Sequence, residues 1–532
     1  MTTDDNGYLS HRQILVVMSG LMVGMFLAAL DQSIVSTALP RITSDLGGLN
    51  KLSWVVTAYL LAATSSTPLW GKISDLYGRR LLFQIAIVTF MAGSLLSGSA
   101  HNVVQLIGFR AVQGLGGGGL MALAMATVGD VIPPRERGRY QGYFALTFGV
   151  SSVLGPVLGG FFADGPGWRW IFFINVPLGL IALVVTTAAL KMPHVRRNHD
   201  IDYLGAALVV ASVSSILLYT AWAGPDRGWG DPFGLVLLIG GFVLAGLFIL
   251  VERRASEPII PMRLFSNSIF SVSNVFAFLI GVAMFGSMIF LPVYLQVVHQ
   301  MSPTRSGLGM LPMIAGIFST SISVGQFMSR TGRYKIFPPL GAAIITVALV
   351  LMSRLGVHTP YWHAAVAMYV FGLGLGMTLQ VVIVIVQNSV SRSDIGTATS
   401  SVQFFRQMGG SFGTALFGAI LTSRLAVHLA DLIPHPHAGA GAPKVNAQNV
   451  DAIRGLPPAL RSLVETAFSR SLSEMFLTAV PLVLLAGIVA LFIKEKPLTG
   501  RQPSDSSGTG SASTAGSGSD SSDSDALSPT SV

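Results

Sequence analysis

Leu30-Asp31-Gln32-Ser33-Ile34-Val35-Ser36-Thr37-Ala38-Leu39-Pro40 closes an apolar run that begins near Ile14. The run is long enough to cross a bilayer, which takes about 20 mostly apolar residues. Asp31 lies inside it. A carboxylate at membrane depth costs about 2.5–3.5 kcal/mol on the milder insertion scales, and such residues are retained where they serve a function. Gly20, Gly24, Ala28, Asp31 and Val35 recur at three- and four-residue steps, so they share one helical face. Small residues permit close helix packing, which turns this face toward other helices and away from lipid. Asp31 is therefore a candidate proton-binding or cation-recognising group. The alternative is a structural acid held permanently by a cation.

Working outward, the composition agrees. Of 532 residues 51% are hydrophobic and 11% are charged, against about 25% charged in soluble domains. The chain reads as an all-α polytopic membrane protein of fourteen spans. The net charge of +9 does not point to nucleic acid. With the N-terminus in the cytoplasm, Lys and Arg concentrate on the inner side, as the positive-inside rule requires. No cysteine is present, which excludes disulfides and thiolate chemistry. The first apolar run is too long for a cleavable signal peptide.

The expected organisation is a cytoplasmic N-terminus (1–13), a six-helix bundle (14–190), a linker with two extra spans (191–267) and a second six-helix bundle (268–493). A long external loop (424–470) precedes the last span, with an amphipathic helix near Pro458–Ser469. His435-Pro436-His437 in that loop is a weak metal candidate. The Ser/Gly/Asp-rich tail (494–532) is expected to be disordered. Residues 252–267 are expected to form an inner, partly interfacial helix. The second half repeats the first: Gly325, Gly332 and Arg333 follow Gly71, Gly78 and Arg79 at one constant offset, with Ser329 in place of Asp75. Two related halves put a substrate site at their interface.

Three further constellations carry chemistry. The second span ends at Gly71-Lys72-Ile73-Ser74-Asp75-Leu76-Tyr77-Gly78-Arg79-Arg80. There Asp75 can accept from a helix N-terminus or a neighbouring arginine. On the fourth span Arg110, Gln113, Gly114, Gly117 and Met121 share a face. An embedded arginine needs a partner, and Asp31 and Arg110 both fall in the outer half of the membrane, so an ion pair between them is expected. On the fifth span Gly149, Gly155, Pro156, Gly159 and Gly160 make a tight, Pro-bent surface for a facing helix.

Gly71 to Arg80 resembles the loop 2–3 signature of the major facilitator superfamily. Leu30 to Pro40 resembles the first-helix signature of its fourteen-span drug:proton antiporter branch. The resemblance implies proton coupling through Asp31 and Arg110, with the fifth-helix glycines tied to export. It implies an inner gate of Gly71, Asp75, Gly78, Arg79, Arg80 and Asp130, with Asp130 on Arg79. It also suggests that Arg406, read as one to two turns from the cytoplasm, reaches Asp75 and ties the halves together in the outward-facing state. Trp168 and Trp170 are read as interfacial anchors only.

No phosphate-binding loop, nucleophile–base set or metal cluster is visible, so neither enzymatic activity nor a cofactor or metal is expected. The implied function is multidrug efflux, and with it antibiotic resistance, by proton antiport at the plasma (inner) membrane, both termini cytoplasmic. Expected partners are the lipid bilayer, protons and hydrophobic small-molecule substrates, often cationic, with no nucleic acid; the chain is read as a monomer. Gln32, Gln113, Gln296 and Gln380 are candidate polar contacts in the substrate cavity. Asp31 is the sole acid deep in any span, which favours monovalent or neutral substrates. The rivals are export of a cell-envelope lipid or glycolipid, nutrient uptake, and a non-transporting membrane receptor.

Overall fold

The computed structural model describes residues 11–46, 52–190, 202–223, 230–432, 457–496 and 498. Among them every regular element is helical, with no strand. The first half comprises α1 (His11–Leu46), α2 (Leu52–Tyr77), α3 (Arg79–Gly98), α4 (Val103–Val131), α5 (Pro134–Asp164), the short α6 (Trp170–Phe173) and α7 (Asn175–Ala189). Two middle helices follow, α8 (Tyr203–Ala223) and α9 (Pro232–Glu252). The second half comprises α10 (Ser268–Val297), α11 (Pro303–Gly309), α12 (Leu311–Thr331), α13 (Phe337–Met352), α14 (Tyr361–Ser389), α15 (Ile395–Leu432) and α16 (Pro458–Leu491).

Twelve stretches of the described residues are long and apolar enough to cross a membrane. The expected spans at 53–71 and 336–356 are not among them. α13 is apolar but has only 16 residues, and α2 carries the polar run Thr64-Ser65-Ser66-Thr67 at its centre.

The internal repeat is visible in packing. In the first half a Cβ on Gly114 would lie 2.3 Å from the Tyr59 carbonyl oxygen, and one on Gly118 2.3 Å from that of Ala63. In the second half Gly372 and Gly376 stand in the same relation to Met313 and Ile317, at 2.1 and 2.6 Å. No side chain fits at these four places, so α2 crosses α4, and α12 crosses α14, backbone on backbone.

α2 and α15 pair antiparallel across the two halves. Thr64 Oγ1 donates to Gln407 Oε1 at 3.2 Å, and a Cβ on Gly71 would lie 2.1 Å from Ser400 Oγ. α8 covers this seam: Val209, Val213 and Leu217 cluster with Leu61 and Leu69 of α2 and Phe404 of α15.

Residues 252–267 form a strap with a short 3-10 turn at Met262–Ser266, not the expected interfacial helix. Glu252 Oε1 accepts from the Ile259 and Ile260 N–H groups at 3.0 and 3.3 Å, which turns the chain back on itself. Lys72 pairs with Glu257 at 2.8 Å and Arg263 with Asp394 at 2.9 Å, so the strap touches both halves.

The external loop is shorter than expected, because α15 runs to Leu432 and α16 starts at Pro458. The reason is an ionic tie beyond the apolar stretch: Glu474 holds Arg424 at 3.2 Å and His428 at 3.1 Å. His435-Pro436-His437 lies outside the described residues, as does the tail from residue 499. The first residues of that expected tail are pinned. The Lys496 N–H donates to the Tyr334 hydroxyl at 2.7 Å, and Asn388 Nδ2 donates to the Lys496 carbonyl at 3.0 Å.

Candidate functional site

Asp31 has no exposed surface, and α4 and α7 supply three donors to it. Arg110 Nη1 lies 2.6 Å from Oδ2; Gln113 Nε2 and Asn175 Nδ2 lie 2.8 and 3.1 Å from Oδ1. Arg110 and Gln113 are one helical turn apart, so α4 presents both to the same carboxylate. Close approach of α3 and α4 sets their height: a Cβ on Gly93 would lie 2.4 Å from the Gln113 nitrogen. Asn175 is itself positioned by Ser94, whose hydroxyl lies 2.9 Å from Nδ2 and donates to the Phe172 carbonyl at 2.9 Å.

Arg110 also has neutral partners. Its Nη1 donates to Gln113 Oε1 at 2.7 Å, its Nε faces the Val55 carbonyl at 3.4 Å, and its guanidinium stacks 4.3 Å above the Tyr59 ring centroid. A ring face at that distance attracts a cation. Besides the acid, Arg110 thus has two neutral acceptors and a π-face.

At the other end of α2, Asp75 joins three helices. Its Oδ1 lies 2.5 Å from Arg79 Nη2. Its Oδ2 accepts from the Thr397 backbone N–H at 2.9 Å and from the Thr397 hydroxyl at 3.1 Å. This N–H lies in the first turn of α15, where backbone donors have no partner within their own helix. Arg79 Nε completes the cluster on Asp130 Oδ2 at 2.6 Å. The glycines of this stretch now have reasons. Gly78 has φ 93°, a conformation that L side chains rarely adopt. A Cβ on Gly396 would lie 2.3 Å from both Arg79 Nη1 and Asp75 Oδ1. Arg80 stands outside the cluster, on a surface groove of about 460 Å³ with Gln84, Leu183 and Thr187.

Asp75 is not paired with Arg406. α15 begins at Ile395 and not near residue 401, so at about 1.5 Å per residue Arg406 stands about 16 Å along it. Thr397, which Asp75 holds, is nine residues earlier on the same helix, about 14 Å away by that rise. Arg406 donates instead to Gln403 Oε1.

α5 packs on two sides. Toward α1, a Cβ on Gly155 would lie 2.0 Å from Ser33 Oγ, and Ser33 donates to the Ser151 carbonyl at 2.9 Å. Toward α12, a Cβ on Gly149 would lie 2.4 Å from Ile314, and toward α11 Pro156 lies 3.3 Å from the Cβ position of Gly307. Gly159 is buried, whereas Gly160 has open space around it.

The glutamines do not converge. Gln113 belongs to the Asp31 cluster, Gln32 is exposed, and Gln296 Nε2 donates to Ser306 at 3.0 Å. Gln380 lines a water-sized cavity between α12 and α14 with Ser321, and none of the other three reaches it.

The family model of the Major Facilitator Superfamily matches residues 21–414. The chain belongs to this superfamily. It is 40% identical over 487 residues to an uncharacterised transporter of the superfamily from Mycobacterium tuberculosis (strain ATCC 25618 / H37Rv), covering 91% of this chain and 70% of that one. It is 34% identical to a multidrug transporter protein of Bacillus subtilis (strain 168), covering 95% and 97%. A solved proton:xylose symporter shares the fold with TM-score 0.58 at 13% identity, covering 89% of this chain and 95% of that one. The chain is thus a multi-pass membrane transporter of the major facilitator superfamily with multidrug and efflux-pump homologues, and not an enzyme.

In this transporter the acid and the fourth-helix arginine meet, as do Asp75, Arg79 and Asp130. Sequence reasoning missed Asn175, Ser94 and Tyr59. For Asn175 a signal existed: it is a lone amide at the head of the apolar helix α7, in a stretch read only for its tryptophans. Those two differ, since Trp168 is buried with its indole N–H on Asp45 at 3.0 Å and Trp170 is half exposed.

Proposed function

We propose that this protein is a proton-driven exporter of amphipathic small molecules, working by alternating access in the plasma membrane with both termini cytoplasmic. In this reading α2 and α13 also span, giving fourteen spans, and the unit is a monomer. The observation that carries it is the fully buried Asp31, whose partner Arg110 also donates to two neutral acceptors and stacks on Tyr59. A carboxylate that can alternate in charge at that depth is what proton coupling needs. The multidrug name of the Bacillus subtilis relative supports efflux of small molecules. Asp31 spends both oxygens on three donors, which leaves it little capacity for a cationic substrate.

The Asp75–Thr397 contact joins the halves at the cytoplasmic end, and its release would open the inner side. The test is dye transport into acid-loaded proteoliposomes of the purified protein. Uptake that follows the imposed gradient and vanishes in Asp31→Asn supports the reading. Uptake indifferent to the gradient overturns it. Lipid flipping without dye movement would favour the lipid-export rival.

A further inference from the structure

Arg79 and Arg110 each hold a carboxylate at 2.6 Å or closer. Among the described residues Arg406 has none within ion-pair distance; its recorded partner is the amide oxygen of Gln403. It stands about 16 Å from the first residue of α15, within a 38-residue helix long and apolar enough to cross a membrane.

Its position on the helix says what it faces. Gln403, Arg406, Gln407 and Gly410 recur at three- and four-residue steps and share one face of α15. On that face Gln407 accepts from Thr64 of α2, and a Cβ on Gly410 would lie 2.4 Å from Phe285 of α10. Arg406 thus lies between α2 and α10, along the seam that joins the two halves, beside the polar centre of α2. A guanidinium carries five N–H donors, and one amide oxygen leaves most of them without a strong acceptor. Arg406 is half-buried, and a cation withdrawn from water without a counter-charge is costly. A planar fork of donors matches a carboxylate or phosphate, bound through two parallel bonds.

We propose that Arg406 is the recognition site for an oxyanion head, a carboxylate or a phosphate ester, on an amphipathic molecule that enters the α2–α15 seam when the Thr64–Gln407 contact parts. That the bound molecule is exported cargo rests on the function proposed above; that it binds does not.

The test is equilibrium binding to the detergent-purified full-length protein, with no gradient, so its outcome is independent of proton coupling. The probes are dodecyl phosphate and dodecyltrimethylammonium, which share a tail and differ in head charge. The expected result is at least about tenfold tighter binding of the phosphate. Arg406→Gln should abolish that preference, while Arg406→Lys should retain part of it, because the charge stays and the fork is lost. Gln403→Glu supplies an internal counter-charge in contact with Arg406 and should abolish the preference without removing the arginine, which covers the case of a poorly folded Arg406→Gln. Competition by phosphatidylglycerol nanodiscs, and not by phosphatidylcholine nanodiscs, supports the proposal with a lipid headgroup as the source. Dodecyl phosphate binding that persists in both nanodiscs and still needs Arg406 supports it with a free amphiphile as the source. Equal binding of the two probes, or a phosphate preference that survives both Arg406→Gln and Gln403→Glu, overturns it.

Discussion

Asn175 Nδ2 and Asp31 Oδ1, 144 residues apart in the chain, are joined by a 3.1 Å hydrogen bond. With Arg110 and Gln113 it makes the carboxylate a three-donor junction of α1, α4 and α7. The consequences of disturbing that junction differ by partner.

Asp31→Asn leaves the Arg110 charge buried against neutral acceptors. Breaking one side of a buried pair costs about 3–5 kcal/mol. The double variant Asp31→Asn/Arg110→Gln removes both charges and should regain most of that loss in thermal unfolding, while gradient-driven transport stays absent. A double variant no more stable than Asp31→Asn would show that the pair is not the source of the cost.

Asn175→Ala removes one hydrogen bond to a charged group, worth about 1.5–3 kcal/mol. The expected outcome is a lowered melting temperature smaller in extent than for Asp31→Asn, with transport impaired at unchanged protein level. Normal stability and transport would reduce Asn175 to a bystander.

Gly71→Ala places a methyl group 2.1 Å from Ser400 Oγ, so α2 and α15 cannot close at the Asp75–Thr397 contact. Because the chain has no cysteine, Ser401→Cys gives a background-free reporter at a buried position of α15. Position 401 should resist a polar maleimide in the parent and label several-fold faster when Gly71→Ala is added.

His299 follows α10, with its ring against Tyr294 and Tyr361 at 5.4 and 6.3 Å, and its Nε2 is buried without a hydrogen-bond partner. Burial lowers its pKa below the usual imidazole value. The folded state therefore binds the proton less readily than the unfolded chain. Its stabilising contribution is complete above about pH 6.5, the ordinary histidine value, and is lost as pH falls from there through the lowered folded value. Melting temperature should fall with acidification across that window, and less so in His299→Phe, which keeps the ring packing and cannot titrate. Identical pH slopes would assign the effect elsewhere.

The reach of sequence reasoning is clearest by comparing Arg110 with Arg406. Both were recognisable as embedded cations. Arg110 lies inside a long apolar run, so its depth was readable and its pairing with Asp31 followed. Arg406 lies in a helix whose inner end is polar, and the apolar run understates where α15 begins. In this structure Arg406 donates to Gln403 while Asp75 rests on Thr397, so the two do not meet. The glutamines failed for a related reason: a polar residue in a span reports that it avoids lipid, and not which helix it meets.

By itself the sequence determined that the chain crosses a bilayer repeatedly, that Asp31 and Arg110 face inward, and that Gly71 to Arg80 is a charged stretch, of which the structure leaves only Gly78 between α2 and α3. These follow from local composition, because hydrocarbon permits only helices whose polar side chains turn away from lipid. The tertiary structure alone decided that Asn175 completes the Asp31 junction, that Asp75 rests on Thr397 in the first turn of α15, and that Arg406 lacks an acid among the described residues. Those contacts depend on the register between helices far apart in the chain, which glycine-to-carbonyl crossings set, and no periodicity within one segment carries that information.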